Sequence, residues 1–533
     1  MPTHAAIPAE TLRLVERLHE PAAYPHPTAA IRLIETHISW VFLTGTFVYK
    51  LKKPIDVGFL DYTSLEKRRR FCEEEIRVSG RFAPELYLAA VPITGTPQEP
   101  HVGGDGPAIE WAVKLVQFDE ADRLDARFTA GRLTAADCER LGVAIAAVEE
   151  GLAVAAAGEA WGSARSVSDA AALNLGQLRE RRPDAADRVG RIEAWLVVRL
   201  DALADLIARR RAAGRVRECH GDLHLANLVL HNGRMTAFDA IEFSPALRWI
   251  DVANDVAFLV MDLESRGRAD LAAIVRSGWM EAADDHAAAR VMPVYEVYRA
   301  VVRAAVAALR ADDAAARAET DRYLELAERL MRPRPPVLYA TCGVSGSGKT
   351  TLAAGLVAAA GAVRLRSDVE RKRLAGMRPT DRPATAAAVA ALYDPAMTRR
   401  VYRRLADLAR TLLEAGTSVV IDAACLVRWQ RGELATVARE AAVPLVWLEL
   451  DLPDQVVIER MAARLAAGGD PSDASPEVVR GQRAAREPIS PAELAAEGGA
   501  ARLMRVSAAD LAAAASADRI VASARSAIGS REP

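Results

Sequence analysis

The 533-residue chain carries 69 Lys+Arg against 71 Asp+Glu, a formal charge of −2, with 51% apolar and 26% charged residues. This globular composition gives material for about two to four cores, and excludes a largely disordered chain and bulk electrostatic capture of nucleic acid or anionic membrane. Five scattered cysteines without a CxxC pair, no basic-then-apolar leader and no long charge-free apolar run make the expectation a cytoplasmic protein with no membrane partner.

From the N-terminus, SWVFL and TFVYKL flank Thr44-Gly45-Thr46 and predict a hairpin within 38–54. Strand alternation puts Lys50 and Lys52 on one face, where either can reach nucleotide phosphates. A charged helix is expected over 64–82, capped by Thr63 or Ser64. Its Glu73, Glu74 and Glu75 offer a partner carboxylate for that lysine. A strand is expected over 110–118, and helices dominate 134–211. A β-rich lobe of about residues 1–118 therefore precedes a helical lobe of about 119–330.

Cys219-His220-Gly-Asp222-Leu-His224-Leu-Ala-Asn227 places an acid and an amide five residues apart, ahead of an apolar strand. After a short hairpin comes Thr236-Ala-Phe-Asp239. Acid, four residues, Asn, hairpin and Asp is the order that phosphoryl transfer on a protein-kinase scaffold requires. Asp222 then meets the acceptor hydroxyl, while Asn227 and Asp239 hold Mg²⁺. A zinc site on His220, Asp222 and His224 is a competing reading, although HGDLH lacks the helical His pair and the Glu of HExxH. A plain structural turn is the other.

Residues 280–330 read as helix and end at Met331-Arg332-Pro333-Arg334-Pro335-Pro336, a proline-rich linker over 331–336 between domains 1–330 and 337–533. Beyond it, strands over 337–342, 363–367, 418–422 and 444–451 alternate with helices, which predicts a parallel sheet covered by helices. Gly343-Val-Ser345-Gly346-Ser347-Gly348-Lys349-Thr350 matches G-x-x-x-x-G-K-[ST] between strand and helix, and Thr351 closes the nucleotide-binding run. Its backbone N–H groups can cradle phosphate, Lys349 can bridge the β- and γ-phosphates, and Thr350 can ligate Mg²⁺.

Asp368, after the second strand, is placed to take the proton of an acceptor hydroxyl, and Arg371 to hold an anionic group. Asp422 ends the third strand and suits the Mg²⁺ shell. Arg460 and Arg464, one turn apart before the loop Gly468-Gly-Asp-Pro-Ser-Asp473-Ala-Ser, suit a lid over the transferring phosphate. Helix caps for the acids and a solvated face for the arginines are the plainer readings.

GVSGSGKTT, RSDVERKRLAG, VVIDAACL followed by Arg428 and Arg431, and ERMAAR with DPSDAS resemble the P-loop small-molecule kinases of the gluconate kinase, zeta-toxin and polynucleotide kinase type. That resemblance implies Asp368 as general base, Arg460 and Arg464 as lid arginines, and Arg428 on the substrate side. Upstream, VYKLKKPIDVGFLDYTSLEKRRRFCEEE, RFAPELYL, CHGDLHLANLVL and FDAIEFSPALRWIDVANDVAFLVMDLE resemble the aminoglycoside phosphotransferase-like (choline and fructosamine kinase-like) fold. Taken together, the chain resembles bacterial fusions of such a module with a P-loop kinase domain. This implies a two-lobed α+β kinase fold followed by an α/β P-loop domain. It also implies Lys50 with its partner Glu75 on ATP, Asp222 as base, and Asn227 and Asp239 on Mg²⁺. Asp251 and Asp255 would line the acceptor side or brace the loop.

The expectation is an ATP- and Mg²⁺-dependent, bifunctional phosphotransferase acting on a hydroxyl of a sugar, sugar acid or related polyol. One active P-loop kinase with a nucleotide-sensing N-terminal half is the alternative. A nucleic-acid end kinase ranks third, since aromatics at 5% give few stacking platforms.

Overall fold

The computed structural model describes residues 7–529 except 57, 59, 311–312, 468–475, 496–500 and 513–515. The chain divides into two compact units, and the division does not fall at 331–336. Residues 1–134, 147–262 and 294–324 form the first, while 135–146, 263–293 and 325–533 form the second.

The first unit begins with a six-stranded antiparallel sheet of β1 (Arg32–Glu35), β2 (Ser39–Leu43), β3 (Phe47–Lys52), β4 (Tyr87–Thr96), β5 (Glu99–Val102) and β6 (Glu110–Val116), in the order β1-β2-β3-β6-β4-β5. The expected hairpin is β2–β3, closed by Thr44 N–H to Phe47 O at 3.0 Å, with Gly45 at φ +99° in a turn that favours glycine. Helix Leu65–Ser79 starts where Ser64 Oγ accepts the Lys67 N–H at 3.2 Å. Along β3, Tyr49 and Leu51 pack with Trp40 and Phe42 on one face, while Val48 joins Cys72 of the helix on the other. Lys50 and Lys52 share the Val48 side by the two-residue period. The antiparallel pair β7 (Val216–Glu218) and β10 (Trp249–Asp251) encloses the hairpin β8 (Leu228–His231) and β9 (Arg234–Ala237) in sequence.

The second unit is built on a parallel sheet of β11 (Leu338–Cys342), β12 (Val363–Arg366), β13 (Val419–Asp422), β14 (Leu445–Leu450) and β15 (Ala501–Val506), in the order β12-β13-β11-β14-β15. Every residue of β11 is buried, as a central parallel strand requires. Helix Lys349–Ala360 covers it through Leu352, Leu356 and Val357, each worth roughly 1.5–3 kcal/mol on burial. Because the strands are parallel, the carboxyl ends of β11, β12 and β13 open on one edge of the sheet. Helix Ala269–Ala282 belongs to this unit as well, and its Ala273 lies in the same core as Tyr339 and Leu352. No helix among the described residues is long and apolar enough to cross a membrane.

Candidate functional site

In the first unit the expected residues come together from five separate segments. Lys50 Nζ donates to Glu75 Oε1 at 2.9 Å and pairs with Asp239, 189 positions away in sequence. Lys52 Nζ takes the other Glu75 oxygen at 2.8 Å and also pairs with Glu242, which accepts the Tyr62 hydroxyl as well. Both lysines thus meet Glu75, but only Lys50 also meets Asp239; Lys52 is fully buried. Burial works to raise the Glu75 carboxyl, and the two ammonium groups outweigh it and hold it at about 2. Asp239 sits at φ +63°, a left-handed conformation that Asp tolerates, and its side chain remains partly exposed.

Asp222 lies beside Asn227, whose Nδ2 donates to the Asp222 carboxylate at 2.9 Å and to its carbonyl at 3.0 Å. Those bonds turn the amide so that Oδ1 is the atom it can offer a cation. His224 Nε2 is 3.3 Å from Asp222. Burial would raise the Asp222 carboxyl, yet the neighbouring His224, His220 and Arg303 keep it well below the usual carboxylate range. His220 has both ring nitrogens engaged inside the protein, Nε2 with Phe238 O at 2.9 Å and Nδ1 with the Asp222 N–H at 3.3 Å. Those contacts oppose zinc ligation by His220 and fix a neutral tautomer.

The loop is braced from below. Asp255 accepts the His220 and Gly221 N–H groups at 2.8 and 2.9 Å, and Asp262 accepts that of Leu225 at 3.0 Å. Arg299 donates to Gly221 O at 2.9 Å. Gly221 is needed there, since a Cβ would stand 2.7 Å from Leu247 O at φ +85°. Asp251 is held by both prongs of Arg210 at 2.7 and 2.8 Å. Of the two acids expected to line the acceptor side or brace the loop, Asp255 braces it and Asp251 is an internal ion-pair partner, and both are buried. Lys52, which strand alternation offered equally with Lys50, is instead buried between Glu75 and Glu242. Tyr62, Glu242, Asp262 and Arg299 are the members to which sequence reasoning gave no role, and of these Glu242 alone carried a local signal, three residues after Asp239.

In the second unit the phosphate loop follows β11, Asp368 follows β12 and Asp422 ends β13. Gly343 N–H donates to Ala424 O at 2.9 Å, tying the loop to the segment after β13. Gly346 and Gly348 have φ of +81° and +93°, and a Cβ at Gly346 would come within 2.7 Å of Met461 Cγ. Ser347 Oγ is buried with no hydrogen-bond partner among the described residues, a donor that a nucleotide phosphate would satisfy. Lys349 Nζ donates to Val344 O at 2.8 Å, and Ser345 N–H to Gln482 Oε1 at 2.7 Å. Thr350 and Thr351 are exposed, while Asp422 is buried. A buried hydroxyl and a lysine on one glycine-rich turn fit the phosphates of a nucleotide.

The arginines divide. Arg460 lies against the loop, its Nη1 2.8 Å from where a Cβ on Gly348 would be. The Arg464 side chain and the loop 468–475 lie outside the described residues. Arg371, expected to hold a substrate anion, is instead buried, donating to Leu392 O at 2.8 Å and Thr398 Oγ1 at 3.2 Å over the Tyr393 ring. Its guanidinium joins helix Ser367–Leu374 to the 392–398 segment. Arg428 points its backbone N–H at Glu487 and exposes its side chain. The buried neighbour Arg431 ties Glu493 to the carbonyls of Cys425, Leu426 and Glu487.

Residues 63–292 match the model of the phosphotransferase enzyme family, and residues 338–489 that of an AAA domain. An uncharacterized protein of Mycobacterium tuberculosis is 29% identical over 451 residues, covering 84% of this chain and 88% of its own, and one of Mycobacterium bovis gives the same figures. Among solved structures, a sugar kinase from Janibacter sp. is 25% identical over 36% of this chain and 95% of its own, with a TM-score of 0.26. A choline/ethanolamine kinase family protein from Mesorhizobium loti is 13% identical over 60% of this chain and 95% of its own, with a TM-score of 0.36. The chain is a kinase-type phosphotransferase with two kinase domains, the phosphotransferase-family one first and the P-loop one second, and nucleotide binding goes with both.

Proposed function

We propose that this two-kinase phosphotransferase uses ATP at two sites and passes the γ-phosphoryl group to a hydroxyl of a small molecule, a sugar, sugar acid or related polyol. The observation that carries the reading is the meeting of Lys50, Glu75 and Asp239 in one ion-paired cluster within the first unit, alongside a separate phosphate loop in the second. At the first site Lys50 orients the α- and β-phosphates, and Asp222 takes the proton as the acceptor oxygen attacks phosphorus. The bond from the γ-phosphorus to the bridging oxygen breaks, and ADP leaves. Asn227 and Asp239 would hold a Mg²⁺ ion, which supplies charge neutralisation on the phosphates. At the second site Lys349 and the loop N–H groups hold the phosphates, with Thr350 and Asp422 on the metal side. Asp368 takes the acceptor proton, and Arg460, with Arg464 one turn on, offsets the developing charge.

An ATP-consumption screen over sugars, sugar acids, nucleosides and aminoglycosides tests the acceptor class. Calorimetric titration with a non-hydrolysable ATP analogue tests the count of sites: two in the parent, one after Asp239→Ala and one after Lys349→Ala. A second reading, one active P-loop kinase with a nucleotide-sensing N-terminal half, draws on the tight turn 44–46, whose Gly45 N–H is already given to Gln117 Oε1 at 2.9 Å. Two bound nucleotides with turnover lost only on Lys349→Ala would favour it.

A further inference from the structure

Helix Ala269–Ala282 lies within the stretch matched by the phosphotransferase family, yet it sits in the second unit. A Cβ on Gly142 would stand 2.5 Å from Val275 O, so the 135–146 segment touches this helix backbone to backbone. On another side Ser277 Oγ accepts the Arg364 N–H of β12 at 3.0 Å. The end of the helix then engages the element that carries Asp368. Glu281, buried, takes Arg366 Nε at 2.8 Å and a second bond from Arg366 Nη2, while its carbonyl oxygen accepts from Arg373. Asp284 continues the contact, 2.8 Å from Arg404, which in turn reaches Glu370 at 3.2 Å. Arg366 immediately precedes helix Ser367–Leu374, and Arg373 lies in its last turn.

We infer that Glu281 is a positioning residue for the P-loop phosphoryl transfer: by clamping Arg366 and Arg373 it fixes both ends of the segment that presents Asp368. The carboxylate grips one end in two-pronged geometry, and its own peptide oxygen grips the other. An element held at both ends cannot slide along the sheet edge, and a displacement of about 1 Å at a reacting group costs on the order of a hundredfold in rate. The P-loop site therefore depends on a helix encoded more than fifty residues before its phosphate loop begins, beyond the start of its own family match. This rests on the reading of Asp368 as the base.

The test uses the full chain with Asp239→Ala, which leaves one nucleotide site, so that turnover and analogue binding both report the second site, and follows ATP hydrolysis with water as acceptor. Glu281→Gln should lower turnover at saturating ATP by about tenfold or more while leaving the affinity for a non-hydrolysable ATP analogue within about twofold, and Glu281→Asp should restore most of the rate. Glu139→Gln removes the neighbouring pair to Arg364 without touching the Asp368 segment, and should leave turnover near the parent's. Parental turnover in Glu281→Gln, with Asp368→Asn slowed, overturns the proposal. So does an equal loss in Glu139→Gln. Parental turnover in Asp368→Asn strikes the base assignment instead. Should Glu281→Gln not fold, Arg366→Lys, which keeps the charge but gives up the two-pronged grip, carries the same expectation.

Discussion

The two sites handle charge in opposite ways. In the first unit the lysines are bound to acids before any ligand is considered: Lys50 to Glu75 and Asp239, Lys52 to Glu75 and Glu242. In the second, the phosphate loop carries a buried hydroxyl and a lysine turned onto a carbonyl, with its Gly343, Ser345 and Ser347 N–H groups given to protein acceptors. The first site is a tertiary object and needs five distant segments folded correctly before it exists. The second is nearly local, since its loop and lysine come from the consecutive residues 343–350. Damage should therefore spread differently: a lost charge in the first unit unbalances its core, whereas a lost lysine in the second removes function from a standing scaffold.

Lys349→Ala sets the large end of that contrast. Second-site turnover should fall by about 10³-fold or more, with a melting temperature close to the parent's, as steady-state kinetics and calorimetry would record. If stability fell as far as activity, the claim that the loop is a local site would break. Asp222→Asn should cost about 10²–10³-fold at the first site and spare nucleotide affinity, measured as kcat against analogue binding. Lys52→Met should do the reverse of Lys349→Ala. It leaves Glu75 and Glu242 under-compensated in the core, and urea unfolding should report a loss of about 3 kcal/mol.

Acid titration sharpens the same point. Glu75 lies at about 2 in the folded chain against an ordinary 4.5, so its contribution is fully present above the ordinary value and lost as pH falls through about 2. Between those limits the parent should lose up to about 3 kcal/mol that a Glu75→Gln variant does not, in paired urea titrations at stepped pH. The smallest effect belongs to Arg371→Lys. With its Nη1 given to Leu392 O and Thr398 Oγ1, the change should cost about 1 kcal/mol of stability and leave the acceptor KM unaltered. A raised KM would return Arg371 to the substrate side.

Legibility followed the same divide. The strand–loop–helix at 338–360 was readable because a buried strand, a glycine turn and a helix follow one another with no tertiary help. Asp222, Asn227 and Asp239 were readable as a spacing, whereas strand alternation offered Lys50 and Lys52 equally, and the pairing of Lys50 with Glu75 was what the family resemblance implied. The burial of Lys52 was not readable, because nothing local distinguishes a lysine that reaches solvent from one whose countercharges, Glu75 and Glu242, arrive 23 and 190 residues later. Arg371 misled for the related reason that its partners, 392 and 398, lie beyond its own helix. The proline run 331–336 marked a change of composition rather than a boundary of packing, because helix Ala269–Ala282 had already crossed into the second unit's core.

That crossing sets an order of events during synthesis. The first unit has its last segment, 294–324, once residue 324 has left the ribosome, and it can close around its ion pairs. Helix Ala269–Ala282 cannot finish packing at that point, because the sheet that shares its core is encoded from 338 onward. At about 5–20 residues per second, the stretch from there to the end of β15 takes roughly 10–40 s to appear. Through that interval Ala273 and Ile274 lack the core they are destined for. A chain released early, near the proline run, would therefore present Ala273 and Ile274 without their core, an exposed small apolar face open to chaperones or proteases.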